Sequence, residues 1–399
     1  MVSLDDYRAI VPSGTIDMLR RLSERVRGRR LLHVSATRAV GGVAEILQGL
    51  VPLLEEAGVE SAWETFDGED GGGAALAAAF HRALQGGEDP LDAALFDEYR
   101  AFVRRRAARM ALAGDVVVTH DALPLGLVEV RGPEGQWVWR CHLDVSRPQR
   151  RAWTFLRQFL VQYDAAVFSL PAFAQRLPIP QFMMYPAIDP LSDKNRELPR
   201  SEVDGILARL GVPQDVPILL QVGRFDRFKD PLGVVEAYRL VKRHHECRLV
   251  LVGTAETDDP EGAELSAEVG EAAERDPDVH VLALRSRQAL EVNALQRAAT
   301  IIFQKSTREG FGLGVAEAMW KSKPVIGGFA GGITAQIVYG VTGFTVNSVE
   351  GAAFRARQLL VDTELRARIG VAAREHVRQR FLITRHLGDL LALTASLVS

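Results

Sequence analysis

Only two cysteines, Cys141 and Cys247, occur in 399 residues, and no Cys-x-x-Cys pair is present. That excludes a disulfide framework and a cysteine zinc site, and a reducing cytoplasm is the expected setting. Apolar runs are short: none reaches the length a bilayer requires, and residues 1–21 lack the basic-then-apolar pattern of a secretory leader. Surplus charge is lacking too, with 48 Lys and Arg against 51 Asp and Glu, a formal net charge of −3. This balance gives no footing for nucleic acid or for a membrane surface. Clusters such as Arg104-Arg105-Arg106 read as solvated helix faces. No G-x-S-x-G elbow supports a Ser–His–Asp triad, and no H-E-x-x-H helix supports a metal site. No D-x-D pair stands out as placed to hold a metal on a sugar diphosphate.

What is present is an ordinary globular composition, 47% apolar and 25% charged, in a chain too long for one core. An amphipathic lead-in over 1–30 is followed by a strand pattern at 31–35, a loop with Gly41-Gly42, and apolar residues at helical spacing over 43–57. This is how a Rossmann-like domain begins, although the glycines do not form a G-x-G-x-x-G fingerprint and a plain turn remains an equal reading. Residues 67–80, with Gly71-Gly72-Gly73 and an alanine run, are expected to form a mobile loop running into a weak helix. A long helix is expected over 91–113. Strands follow at 115–119, 137–141, 165–169 and 182–185, with His120-Asp121 and His142-Leu143-Asp144 at strand ends. Residues 187–198 read as an interdomain crossing, after which the pattern restarts. Strands are expected at 218–222, 248–252, 279–284, 300–304 and 324–326, and an acidic surface loop at 254–264. Helices are expected at 288–299, 350–361, 363–380 and 383–398. The fold class is therefore α/β, two Rossmann-like domains over 1–190 and 191–380, with 381–399 as a C-terminal helix that packs back on the first domain. The active site is expected in the cleft between the domains.

Residues 305–321 carry the most specific pattern. Gly310, Gly312 and Gly314 sit where a strand turns into a helix, which leaves backbone N–H groups free for a phosphate or diphosphate. Glu309 and Glu317, with seven residues between them, would repel phosphate and suit the hydroxyls of a sugar and a ribose. Arg224 and Lys229, in the loop after the strand at 218–222, would neutralise a diphosphate and stabilise it as it departs. A pair of surface cations is the bland reading. His142 and Asp144 suit sugar hydroxyls; a core histidine and a helix-capping aspartate are the alternatives. His33 and His120 read as structural.

The spacing of Glu309 and Glu317 resembles the E-x7-E motif of retaining glycosyltransferases of the GT-B architecture, and Arg224 with Lys229 resembles their diphosphate-binding pair. Five longer stretches resemble the trehalose glycosyltransferring synthases. They are Gly41-Gly42-Val43-Ala44-Glu45-Ile46-Leu47, Phe80-His81-Arg82-Ala83-Leu84-Gln85-Gly86, Trp139-Arg140-Cys141-His142-Leu143-Asp144, Ile188-Asp189-Pro190-Leu191-Ser192 and Gln304-Lys305-Ser306-Thr307-Arg308-Glu309-Gly310-Phe311-Gly312. The resemblance spans nearly the whole chain. It implies transfer of glucose from ADP- or UDP-glucose to free glucose, giving α,α-trehalose, and the reverse reaction on trehalose. It also implies that Glu309 and the amides of Gly310, Phe311 and Gly312 hold the donor glucose. Leu313 and Gly314 would hold the diphosphate, Glu317 the ribose, His142 the glucose C6 hydroxyl, Gly41-Gly42 the donor phosphate and acceptor, and Asp144 the acceptor. Two departures bear on the acceptor side: Val40 stands where relatives tend to carry glycine, and 71–79 is smaller and less polar than in relatives.

No obligatory cofactor is implied, with Mg2+ at most the counterion of the nucleotide. The expected partners are the nucleoside diphosphate glucose and glucose or trehalose; a homo-oligomer is left open. Rival readings are a trehalose phosphorylase on the same frame, a nucleotide-sugar epimerase, and a non-catalytic sensor.

Overall fold

The computed structural model describes residues 2–39, 41–66, 72–254, 260–274, 276–284 and 288–398. The chain divides into two units, 1–187 with 382–399, and 188–381. Each is built on a six-stranded, all-parallel sheet.

In the first unit the strands are β1 (Arg30–Ser35), β2 (Glu60–Thr65), β3 (Val116–His120), β4 (Gln136–Arg140), β5 (Ala165–Phe168) and β6 (Gln181–Met183), in the order β2-β1-β3-β4-β5-β6. β3 and β5 are buried along their whole length, as strands covered on both faces must be, and their composition is β-branched and apolar accordingly. The edge strand β2 reads Glu-Ser-Ala-Trp-Glu-Thr and buries only Trp63 among its six residues. It lacks the apolar run that betrays a central strand, and the sequence reading passed over it. The helix expected to be weak forms over Gly73–Leu84. Phe80, fully buried, packs edge-on to Tyr99 at 5.0 Å and stacks with Phe155 at 5.9 Å, so tertiary packing offsets the glycine entry. Its start is a close fit: a Cβ on Gly73 would lie 2.7 Å from the Phe102 ring. The remainder of the expected mobile loop, 67–71, lies outside the described residues, as does Val40. The helix expected over 91–113 is shorter, Ala93–Ala107, with Asp92 accepting from the Leu95 N–H as its cap.

In the second unit β7 (Ile218–Val222), β8 (Arg248–Thr254), β9 (Val279–Leu284), β10 (Ile301–Gln304), β11 (Val325–Gly328) and β12 (Gly343–Val346) take the order β12-β11-β10-β7-β8-β9. Read from the other edge, this is the doubly wound order, with its switch point between β7 and β10. Leu219, Val235, Tyr238, Phe303 and Ile326 form its core. The acidic loop is partly corrected: 260–264 opens a helix, Pro260–Glu274, and 255–259 lie outside the described residues. The last helix, Ile383–Leu397, groups with the first unit; a Cβ on Gly388 would lie 3.2 Å from Leu19 of the helix Thr15–Glu24. Among the described residues no helix is long and apolar enough to cross a membrane.

The expected crossing at 187–198 is not slack. Residues 188–198 belong to the second unit, so the division falls before Ile188 and not after Pro190. Asn293 donates to the carbonyls of Asp193 and Arg196 at 2.8 and 2.9 Å, Arg297 pairs with Glu197 at 2.6 Å, and Lys321 donates to Asn195 Oδ1 at 2.9 Å. Burial pushes the Lys321 ammonium down to about 7, against a partial offset from Glu317. Unfolded, this lysine holds its proton to its ordinary value of 10.5, so between pH 7 and 10.5 the unfolded chain binds more protons and folded stability rises with pH. The stability difference between wild type and Lys321→Met should therefore shift in favour of wild type as the pH rises from about 7 to about 10, read from urea midpoints of both proteins.

Candidate active site

Two loops leave the second sheet beside its switch point, one after β7 and one after β10. In open α/β sheets this is where the chain diverges and leaves room for a ligand. The backbone of Thr307 donates to the Phe228 carbonyl at 2.7 Å, and Gln221 Nε2 donates to the Lys229 carbonyl at 2.8 Å, so both loops are tied to each other and to the sheet. Across them, the Lys229 ammonium forms an ion pair with Glu309 Oε2, and Ser306 Oγ donates to the same oxygen at 3.1 Å. A second pair joins Lys305 to Asp230, the residue that caps the helix Pro231–Lys242. Two ammonium groups are thus held at the switch point by two carboxylates. The sequence reading singled out Lys229 and Glu309 separately; Ser306, Lys305 and Asp230 it did not single out as site residues. A Lys after the strand at 300–304 was the available signal.

Gly312, at φ +84, ends the loop and opens the helix Leu313–Trp320. Leu313 and Gly314 therefore stand at a helix N-terminus, where backbone N–H groups have no intrahelical acceptor and the positive end of the helix dipole lies. Gln336 fixes the loop from behind by donating to the carbonyls of Phe311 and Gly312 at 2.5 and 3.3 Å, and the Glu309 backbone carbonyl accepts from the Gly332 N–H at 3.0 Å. Gly332 must be glycine, because a Cβ there would lie 2.1 Å from Phe311 Cα. Gly310 and Phe311 are buried in this loop.

Glu317 is placed differently from Glu309. Its side chain is 2% exposed, paired with Lys194 Nζ at 3.0 Å, and Gln296 Nε2 lies 3.3 Å away. A carboxylate at this depth requires such partners. Lys194 comes from the segment read as a linker, and nothing in its neighbourhood in the sequence flagged it. Arg224 is half exposed and pairs with Asp226 at 3.1 Å, on the same loop as Lys229.

In the first unit, Gly41 at φ +92 precedes the helix Gly42–Glu56, whose N-terminus follows β1. His142 lies just beyond β4, since the strand ends at Arg140. Its backbone N–H donates to Asp121 Oδ1 at 2.7 Å, and its Nε2 lies 2.9 Å from His120 Nδ1. Asp121 adopts the left-handed conformation at φ 60, and Trp139 Nε1 donates to its carbonyl at 2.8 Å. Burial pushes its carboxyl up to about 6. Asp144 is buried and its Oδ1 accepts from the N–H and Oγ of Ser146 at 3.0 and 2.5 Å. It caps no helix; the next begins at Arg150. Among the described residues no group of three His, Cys, Asp or Glu side chains is arranged to hold a metal ion.

Residues 33–175 match the family model for the trehalose synthase N-terminal domain, and 204–376 match glycosyl transferases group 1. A trehalose synthase of Rubrobacter xylanophilus is 41% identical over 99% of this chain and 97% of its own length. The chain belongs to the trehalose synthase family. A second member, from Pyrococcus horikoshii, is also 41% identical, over 99% of this chain and 96% of its own. Among solved structures, a sucrose-phosphate synthase from Thermosynechococcus elongatus superposes with a TM-score of 0.71 at 20% identity, covering 92% of this chain and 99% of that one. The fold is thus GT-B, and the family member is a hexosyltransferase whose chemistry concerns trehalose. Gly332→Ala should lower folded stability by roughly 1–3 kcal/mol, because the loop at 310–312 must move to admit a methyl group. The same shift should depress glycosyl transfer by more than the loss of folded protein accounts for, measured as turnover per folded molecule.

Proposed function

We propose that this member of the trehalose synthase family transfers glucose from ADP- or UDP-glucose to the anomeric hydroxyl of free glucose, with retention, to give α,α-trehalose, and that the reaction runs in both directions. The observation that carries this is the Lys229–Glu309 pair beside the helix N-terminus at Leu313. A cation and N–H donors suit a diphosphate, and a carboxylate suits the hydroxyls of the sugar attached to it. Glu309 and the amides of Gly310, Phe311 and Gly312 take the transferred glucose. Leu313 and Gly314 take the diphosphate. Glu317 takes the ribose once its contact with Lys194 is shared or exchanged. His142 takes the C6 hydroxyl, Gly41-Gly42 the donor phosphate, and Asp144 the acceptor.

The bond between glucose C1 and the β-phosphate oxygen breaks as the bond from C1 to the acceptor oxygen forms on the same face. The departing phosphate oxygen receives the acceptor proton, so no protein base is needed at the reacting centre. Arg224, Lys229 and the helix N–H groups absorb the charge that develops on the phosphate. In this reading no metal is obligatory, and Mg2+ enters at most as a counterion of the nucleotide.

ADP-, UDP- and GDP-glucose, each supplied with glucose and excess chelator, should yield trehalose and the nucleoside diphosphate with at least one donor. Product from trehalose and phosphate alone would identify a phosphorylase, and an altered donor sugar without acceptor an epimerase. Arg224→Ala should reduce turnover by a few hundredfold, about 3 kcal/mol of barrier, with the fold intact. Turnover near that of the wild type would remove Arg224 from the mechanism.

A further inference from the structure

Three imidazoles run in line through the first unit. His33 on β1 and His120 at the end of β3 are 1% and 6% exposed, while His142 beyond β4 is half-buried. His33 Nδ1 lies 3.0 Å from His120 Nε2, and His120 Nδ1 lies 2.9 Å from His142 Nε2. They border a cavity of about 20 Å³ that Arg140 and His386 also line, closed by aliphatic side chains of the helices Gly42–Glu56 and Ile383–Leu397.

Burial pushes His33 down to about 4 and His120, His142 and His386 well below the ordinary imidazole value, with Arg140 adding to the effect on His120, His142 and His386. The rings are neutral. The Arg140 guanidinium, pushed down by burial to about 10, keeps its charge. A neutral imidazole has one N–H and one bare nitrogen, so His120, engaged at both, donates at one and accepts at the other. Two arrangements satisfy the line: every proton on Nδ1, or every proton on Nε2.

The buried end of the line decides between them. His33 Nε2 has no hydrogen-bond partner among the described residues, and neither have Arg140 Nε and Nη1. A proton on His33 Nε2 would add another buried donor to a pocket that already holds unmatched donors and a positive charge. A bare Nε2 supplies the missing acceptor. The cavity has room for one water, which can accept from Arg140 and donate to His33. His386 Nδ1 lies 2.8 Å from the Tyr185 carbonyl, which only accepts, so this ring also carries its proton on Nδ1.

We propose that His33 and His120 are positioning residues that hold His142 as its Nδ1–H tautomer, so that it offers the bound sugar a hydrogen-bond donor and no basic nitrogen. The sugar contact rests on the reading of His142 given above; the tautomer does not. One consequence concerns the chemistry: His142 is unfit to deprotonate the acceptor, in keeping with a reaction in which the departing phosphate takes that proton.

Long-range 1H–15N correlation spectra of the full chain, labelled at histidine, read the tautomers directly. His142 should be protonated at Nδ1 and bare at Nε2; the reverse in the wild type would overturn the proposal. In His33→Asp the carboxylate can only accept, so the line should reverse and leave His142 Nδ1 bare, with kcat down about tenfold or more, the size of one lost hydrogen bond. The amide of His33→Asn can donate where Nδ1 did, so it should keep the wild-type tautomer and recover most of that loss. A His142 tautomer unchanged in His33→Asp would also overturn the proposal. If no donor supports transfer while His142 is protonated at Nδ1, the functional reading fails and the tautomer assignment stands. If His33→Asp does not fold, the wild-type spectrum alone decides.

Discussion

The ion pair between Lys229 and Glu309 bridges a place where the chain parts company with itself. The chain leaving β7 proceeds toward β8 on one side of the sheet, and the chain leaving β10 proceeds toward β11 on the other. Their loops would otherwise spread apart, and an isolated ammonium or carboxylate between them would be poorly solvated. Joined, the two charges neutralise one another and fix both loops, with the Thr307–Phe228 hydrogen bond as a second tie. Gln336 and Gly332 then hold the glycine turn at 310–312 against the pair from behind. The two loops are thus fixed by contacts within the chain itself, which reduces the ordering that a ligand bound beside them would have to impose.

Central strands were legible because burial on both faces demands unbroken apolar, β-branched runs: β7 and β10 lie where their patterns predict. The terminal helices Thr363–Arg380 and Ile383–Leu397 likewise declare themselves through 3.6-residue spacing. The edge strands β2 and β12 did not. Trp63 is the one buried residue of β2, and β12 is four residues beginning with glycine, so neither carries the pattern of a covered strand. The helix Gly73–Leu84 was underrated for a related reason. Its stability comes from Tyr99 and Phe155, which are remote in sequence, and propensity alone does not register them.

The same division holds at the site. Glu309, Gly312 and Lys229 could be singled out because glycine turns and charges at strand ends have few structural uses. Lys194 could not, because its importance depends on a three-dimensional return of 188–198 onto the helix Leu313–Trp320. The histidine line was hidden differently. His33 was visible inside a strand pattern and His120 and His142 at strand ends, but only the strand order β1-β3-β4 makes them neighbours. Asp121 shows both aspects: it was legible as a polar residue at a strand end, while its left-handed backbone and its hold on the His142 N–H belong to the folded turn.

The first unit is interrupted by the whole of the second and completed by the helix Ile383–Leu397. During synthesis, therefore, the two units cannot mature in the order in which they begin. The stretch 188–381 is continuous and can collapse as soon as it has emerged. The sheet carrying the three imidazoles must wait, one face still open, until His386 and its neighbours leave the ribosome. A nascent chain of this protein is exposed longest at its oldest part.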